Sequence, residues 1–168
     1  MKKLFILLTT LFMLANVSAQ DVDSLQTNPL QTQIDSLSVK LSALQYDHDY
    51  LRCEYDILVI DSKLTNLAQD ASMKGDQLLI YTKAGSFNWE YYDSAKAAYE
   101  SYVDFFNTLK ESVRITKENI KSISSKFSPL HLFLLENQCR ILDSEIDVVD
   151  KALNVYKISL NDYRNNGR

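Results

Sequence analysis

Residues 92–123 read YDSAKAAYESYVDFFNTLKESVRITKENIKSI. Within them Tyr92, Ala95, Tyr99, Tyr102, Phe106, Leu109, Val113, Thr116, Ile120 and Ile123 follow one another in steps that alternate between three and four. An α-helix turns once in 3.6 residues, so this spacing keeps all of these side chains on one face. Sustained alternation of three and four is the heptad pattern, and helices that carry it wrap around one another with a left-handed twist.

The pattern recurs on both sides. Downstream it runs through Leu132, Leu135, Cys139, Leu142, Ile146, Val149, Leu153, Tyr156, Leu160 and Tyr163. Upstream it runs through Tyr46, Tyr50, Cys53, Ile57, Ile60, Leu64, Leu67, Ala71, Lys74, Leu78 and Tyr81. Lys74 is a charged residue on an apolar seam, and its stem can lie along ring faces while the ammonium reaches water. Gly75, next to it, weakens the helix by about 1 kcal/mol relative to alanine, a cost that a helix this long can carry, and is a candidate point of bending.

Punctuation divides the chain into three helices. The whole sequence has only three glycines and two prolines, where glycine alone ordinarily makes up about 7 %. A chain so short of turn residues builds few turns and long elements. Asn28-Pro29 opens the first helix, with Gln31 completing a capping pattern. Gly85 closes it as a left-handed stop. Ser86 or Asn88 caps the second, and Ser128-Pro129 opens the third, with Phe127 poised to staple onto Leu132. The expected helices are about 29–84, 88–124 and 129–164, with a frayed tail at 165–168.

Reflecting helix 1 onto helix 2, and helix 2 onto helix 3, sets Tyr81 level with Tyr91, Tyr92 and Tyr163. It also sets Leu67 level with Phe106 and Val149. The expected fold is therefore all-α: an antiparallel up-down-up bundle of three long, coiled-coil-like helices, the first extended at its N-terminal end.

That extension carries its own stripe, Leu30, Ile34, Leu37, Leu41 and Leu44, out of register with the later one. The mismatch reads as a phase change between Leu44 and Tyr50. An isolated amphipathic helix of this length is marginal in water, so the stripe needs a cover. Leu58, Val59, Phe133 and Leu134 also lie off the core stripes, and with Leu30–Leu44 they form the candidate interaction surface. Either this surface meets another copy or another exported protein, or the extension folds back to make a four-helix bundle.

The N-terminus reads as an export signal. Lys2 and Lys3 precede the apolar run Leu4–Leu14, and small residues lead to a cleavage point between Ala19 and Gln20. The apolar run is too short for a stable membrane span, and no second stretch of spanning length follows. Residues 1–19 are thus a signal peptide and 20–28 a flexible leader, placing the mature chain in a periplasm or outside the cell. The formal charge of −4, more acidic once Lys2 and Lys3 are gone, disfavours nucleic acid and anionic lipid.

Chemistry is sparse. Cys53 and Cys139 are the only cysteines, both on core stripes of parallel helices, so a disulfide is possible in an oxidising compartment. His48 and His131 stand at nearly the same height, with Asp47 and Asp49 beside His48, but the spacings of zinc and di-iron sites are missing, and no metal or cofactor is expected. No nucleophile elbow and no phosphate loop occur, and the expected protein is not an enzyme. The aromatic residues Tyr81, Phe87, Trp89, Tyr91, Tyr92 and Tyr163 gather at the first hairpin, where they either cap the core or bind a sugar or peptide. The reading that follows is an exported helical scaffold or interaction protein, with a small ligand-binding module as its alternative.

Overall fold

The computed structural model describes residues 29–167; the signal peptide, its cleavage point at Ala19 and Gln20, the leader with Asn28, and Arg168 lie outside the described residues. Three helices follow in order: α1, Pro29–Lys83; α2, Trp89–Ile123; and α3, Pro129–Asn165. A single 3-10 turn, Ser124–Lys126, bridges the last two. The molecule is an all-α three-helix bundle. Residues up to Lys40 group apart from the unit Leu41–Arg168.

The expected punctuation shapes the joints. Gly85 sits at φ 64°, the left-handed conformation that side chains resist. Around it Ser86 N–H donates to Tyr81 O and Gly85 N–H to Thr82 O, both at 3.1 Å, which satisfies the last carbonyls of α1. Asn88 rather than Ser86 caps α2: its side-chain oxygen accepts from Tyr91 N–H at 3.1 Å. Ser128 caps α3 by accepting from His131 N–H at 3.2 Å, with Pro129 opening the helix.

Direction follows from who meets whom. Tyr81 packs edge-to-face on Tyr91 across the first hairpin, so α1 and α2 are antiparallel. Tyr46 bonds His131 near one end, Thr82 bonds Asn166 near the other, and the backbones of Gly75 and Tyr156 approach between them. α1 and α3 therefore run parallel, which gives the up-down-up order. Leu64, Ala71, Leu78, Leu135, Leu142, Val149 and Tyr156 are wholly enclosed in the core.

The structure corrects three expectations, the seam at Lys74, the frayed tail and the fold-back, and it also seats Phe127. Gly75, not Lys74, occupies the seam: Lys74 is exposed, and a Cβ on Gly75 would stand 3.3 Å from Tyr156 Cα. The glycine is a point of close helix approach. The tail does not fray entirely: Asn166 donates its amide to Thr82 O at 2.7 Å, and a Cβ on Gly167 would fall inside the Phe87 ring. Phe127 is buried against the edges of Tyr46 and Tyr50. Finally, α1 runs unbroken through Gln45–Asp49, so the fold-back that needs a break there is not realised.

The phase change also has a simpler origin. Between 44 and 58, α1 carries two stripes on different faces: Tyr46, Tyr50, Cys53 and Ile57 turn toward the core, while Leu44, Leu51, Tyr55 and Leu58 turn to solvent. Neither stripe stops where the other starts.

Candidate functional site

The outer stripe of α1 is a run of apolar side chains left open by the bundle. Within the unit that starts at Leu41, Leu44 is 66 % exposed, Leu51 59 %, Tyr55 67 % and Leu58 57 %, with Leu41 somewhat less open. His48 falls on the same face, its side chain exposed, with Nδ1 3.7 Å from Asp49 Oδ1. Asp49 in turn takes Lys126 at 3.2 Å, joining α1 to the turn before α3. Val59 is half-buried.

In the preceding unit, taken by itself, Leu30, Leu37 and Val39 are exposed and Ile34 is half-buried. Gln31 donates to Asp35 at 3.0 Å along the same helix.

The first turns of α3 add Leu130, Phe133 and Leu134, all exposed. They lie at the end of the bundle where Tyr50 stacks on His131 at 4.3 Å between ring centroids. This junction is tightly made. The Tyr46 hydroxyl accepts from Ser128 N–H at 3.0 Å and shares a 2.7 Å hydrogen bond with His131 Nδ1. One hydroxyl thus ties α1 to the cap of α3.

Sequence reasoning overlooked several members of this surface. Leu51 and Tyr55 continue the early stripe at the same seven-residue period, and that period was the signal that could have found them. On α3, Leu134, Ile141, Val148 and Val155 repeat every seventh residue and are all exposed.

The aromatic end behaves differently. Phe87 meets Tyr163 and Trp89 at 5.0 and 4.8 Å between centroids, Trp89 meets the edge of Tyr92, and Tyr91 bridges Tyr81 and Tyr163. Asn88 N–H donates to the Tyr163 hydroxyl at 2.9 Å. Tyr92 and Tyr163 are buried, and only Trp89 is open to solvent. These rings occupy one another's faces and edges, the arrangement of a core cap.

The remaining chemistry is committed to structure. Cys53 and Cys139 both sit in the core as buried free thiols. Burial pushes both thiols up, reinforced at Cys53 by Asp56 and opposed at Cys139 by Lys117. Neither is a ready thiolate nucleophile. A hollow of about 510 Å3 borders Lys117, Leu132, Glu136, Cys139 and Asp143, with Lys117 bonded across it to Asp143. Another, of about 270 Å3, lies between Tyr99, Phe106, Lys110, Asp150 and Lys157. His131 is engaged by Tyr46 and Tyr50 while His48 stays in solvent, so the two histidines are not brought together. Among the described residues, no three His, Cys, Asp or Glu side chains converge to hold a metal, and no helix is long and apolar enough to cross a membrane. No family model matches the chain, and neither a curated protein nor a solved structure matches it.

Proposed function

We propose that this chain is an exported, non-enzymatic helical scaffold that works by association, with further copies of itself or with another exported protein. The observation that carries this reading is the outer stripe of α1. Leu44, Leu51, Tyr55 and Leu58 are all more than half exposed on a helix whose inner face is already fully engaged. Isolated surface leucines are ordinary, but apolar residues aligned on one helix face suit a partner surface.

A catalytic role has less in its favour. The groups that carry chemistry elsewhere are here used for packing and joints: Tyr46 and His131 at the α1–α3 junction, Tyr156 on Ala95 O, both cysteines in the core. Export rests on Lys2, Lys3, the apolar run and the small residues before Gln20.

Light scattering on the purified chain tests association. The expected mass is a multiple of one chain, falling to a single folded chain when Leu44, Leu51 and Leu58 are all changed to serine. A single-chain mass for the unmodified protein at every concentration overturns the self-association reading. Export is checked by the N-terminus of protein recovered from a secreting cell, which should begin at Gln20; an N-terminus still at Met1 removes that part of the reading.

A further inference from the structure

The outer stripe has a finer grain than exposure alone. Leucine stands at 30, 37, 44, 51 and 58, every seventh residue, and between these fall Ile34, Leu41, His48 and Tyr55. In heptad terms the leucines are all at d and the others at a. Leucine at every d is a preference of two-stranded parallel coiled coils.

We propose that the outer face of α1 from Leu41 to Leu58 is the seam of a parallel, in-register, two-stranded coiled coil with a second copy of this chain. The inference rests on the self-association reading above and adds the partner, the number of strands and their direction.

Charge complementarity supplies the direction. In a parallel pair the residue at g of one strand faces the residue at e of the next heptad on the other. That sets Asp47 against Arg52 of the second copy, twice by symmetry, and Glu54 against an uncharged Val59; no like charges face each other. In the antiparallel pair that aligns the same a and d layers, Leu41 with Leu58 and Leu44 with Tyr55, Asp47 faces Glu54 of the second copy, a like-charge contact made twice.

His48 points the same way. In the parallel register it faces His48 of the second copy, where one imidazole N–H can donate to the bare nitrogen of the other. In the antiparallel register each His48 is laid against Leu51 and has no polar partner across the seam, which buried polar groups tolerate poorly. A single polar residue at an a position is also a known device for fixing register and strand number at some cost in stability.

The helix itself does not have to form on association. The bundle already holds α1 helical, its inner face covered by α2 and α3, so the ordering cost that makes short coiled coils weak is largely removed.

Single cysteines at d positions read direction and register together. In the full chain, Leu44→Cys and Leu51→Cys, each alone in a glutathione redox buffer, should give a disulfide-linked dimer on a non-reducing gel; circular dichroism confirms that each variant stays helical. A mixture of Leu41→Cys and Leu58→Cys chains, which meet only in the antiparallel register, should give no mixed dimer. A charge swap gives a second readout. Arg52→Glu should lower association at least tenfold by facing Asp47, and adding Asp47→Arg should restore it. A dimer that links only through the Leu41→Cys and Leu58→Cys mixture overturns the direction and leaves self-association standing. A mass of three or more chains overturns the strand number. A single-chain mass throughout overturns both this inference and the reading beneath it.

Discussion

Between Leu44 and Leu64, α1 shows two apolar faces of different make. The inner face mixes sizes, Cys53, Ile57, Ile60 and Leu64, and continues into Ala68, Ala71 and Gly75, all buried. The outer face repeats one residue, leucine, at a fixed period. An inner stripe must fit two unlike helices at once, so each layer demands its own volume, and at Gly75 a Cβ would already crowd the α3 backbone at 3.3 Å from Tyr156 Cα. A seam that meets its own copy sees the same surface at every layer and can use the same residue each time. If the outer face is the proposed seam, the contrast separates what folds the chain from what it binds.

The sharpest way to break that separation is to truncate the same residue type on each face. Leu64 is fully enclosed, so Leu64→Ala leaves a cavity and should cost about 2–5 kcal/mol in urea unfolding. Leu58→Ala, with its side chain mostly in water, should stay within about 0.5 kcal/mol for the single chain. Equal losses at both positions would mean that the outer face is part of the fold.

Gly75 tests the inner face from the opposite direction. A Cβ there would lie 3.3 Å from Tyr156 Cα and 3.4 Å from Tyr156 N, both backbone atoms that cannot rotate aside. Gly75→Leu should push α1 and α3 apart and cost about 1–3 kcal/mol by the same assay, despite leucine's better helix propensity. An unchanged midpoint would show that the close approach is not needed.

How much of this was legible beforehand divides along the same line. Caps and stops are local chemistry, so Gly85 and Ser128-Pro129 located the end of α1 and the start of α3 to within a residue of Lys83 and Pro129. The α2 stripe was legible because a heptad face needs nothing but spacing. Tyr92, Phe106, Leu109, Val113, Thr116 and Ile120 are all buried as expected. The seat of Gly75 was not legible, because a search for apolar residues at steps of three and four passes over a glycine, and Lys74 next to it completed the count. The outer stripe was half legible. Leu30–Leu44 was recognised, yet its continuation through Leu51 and Tyr55 was masked by the inner stripe, since two periods overlaid on one helix look like a single pattern that slips. Which rings touch at the hairpin depended on side-chain directions that spacing does not carry.

Tyr156 offers a smaller effect with a distinct signature. Its hydroxyl donates to Ala95 O at 2.7 Å from within the core. Burial, then the neighbouring Tyr102 and Tyr91, push its pKa from 10 up to about 12. The neutral phenol is the form the fold favours. Its contribution is therefore complete below about pH 10, the unfolded value, and is lost as pH climbs toward the folded value near 12. Tyr156→Phe should cost about 1 kcal/mol at neutral pH and make the alkaline fall in stability shallower between those two values. Tyr50, Tyr91 and Tyr102, also raised chiefly by burial, keep part of the slope in the variant.

The least change in single-chain stability should come from Leu51→Ser, and for that reason it sharpens the contrast most. If copies associate through the outer face, folding and association are linked. The melting temperature of the unmodified chain should then rise with protein concentration, because mass action favours the associated native state. Leu51→Ser removes a central d residue of the seam without opening a cavity in the core, so its melting temperature should be independent of concentration. At high dilution the unmodified chain is mostly single, and the two melting curves should there converge to within the effect of an exposed substitution, about 0.5 kcal/mol. A gap that persists undiminished at high dilution would place Leu51 among the residues that fold the bundle, and the outer face of α1 would then be a second layer of core.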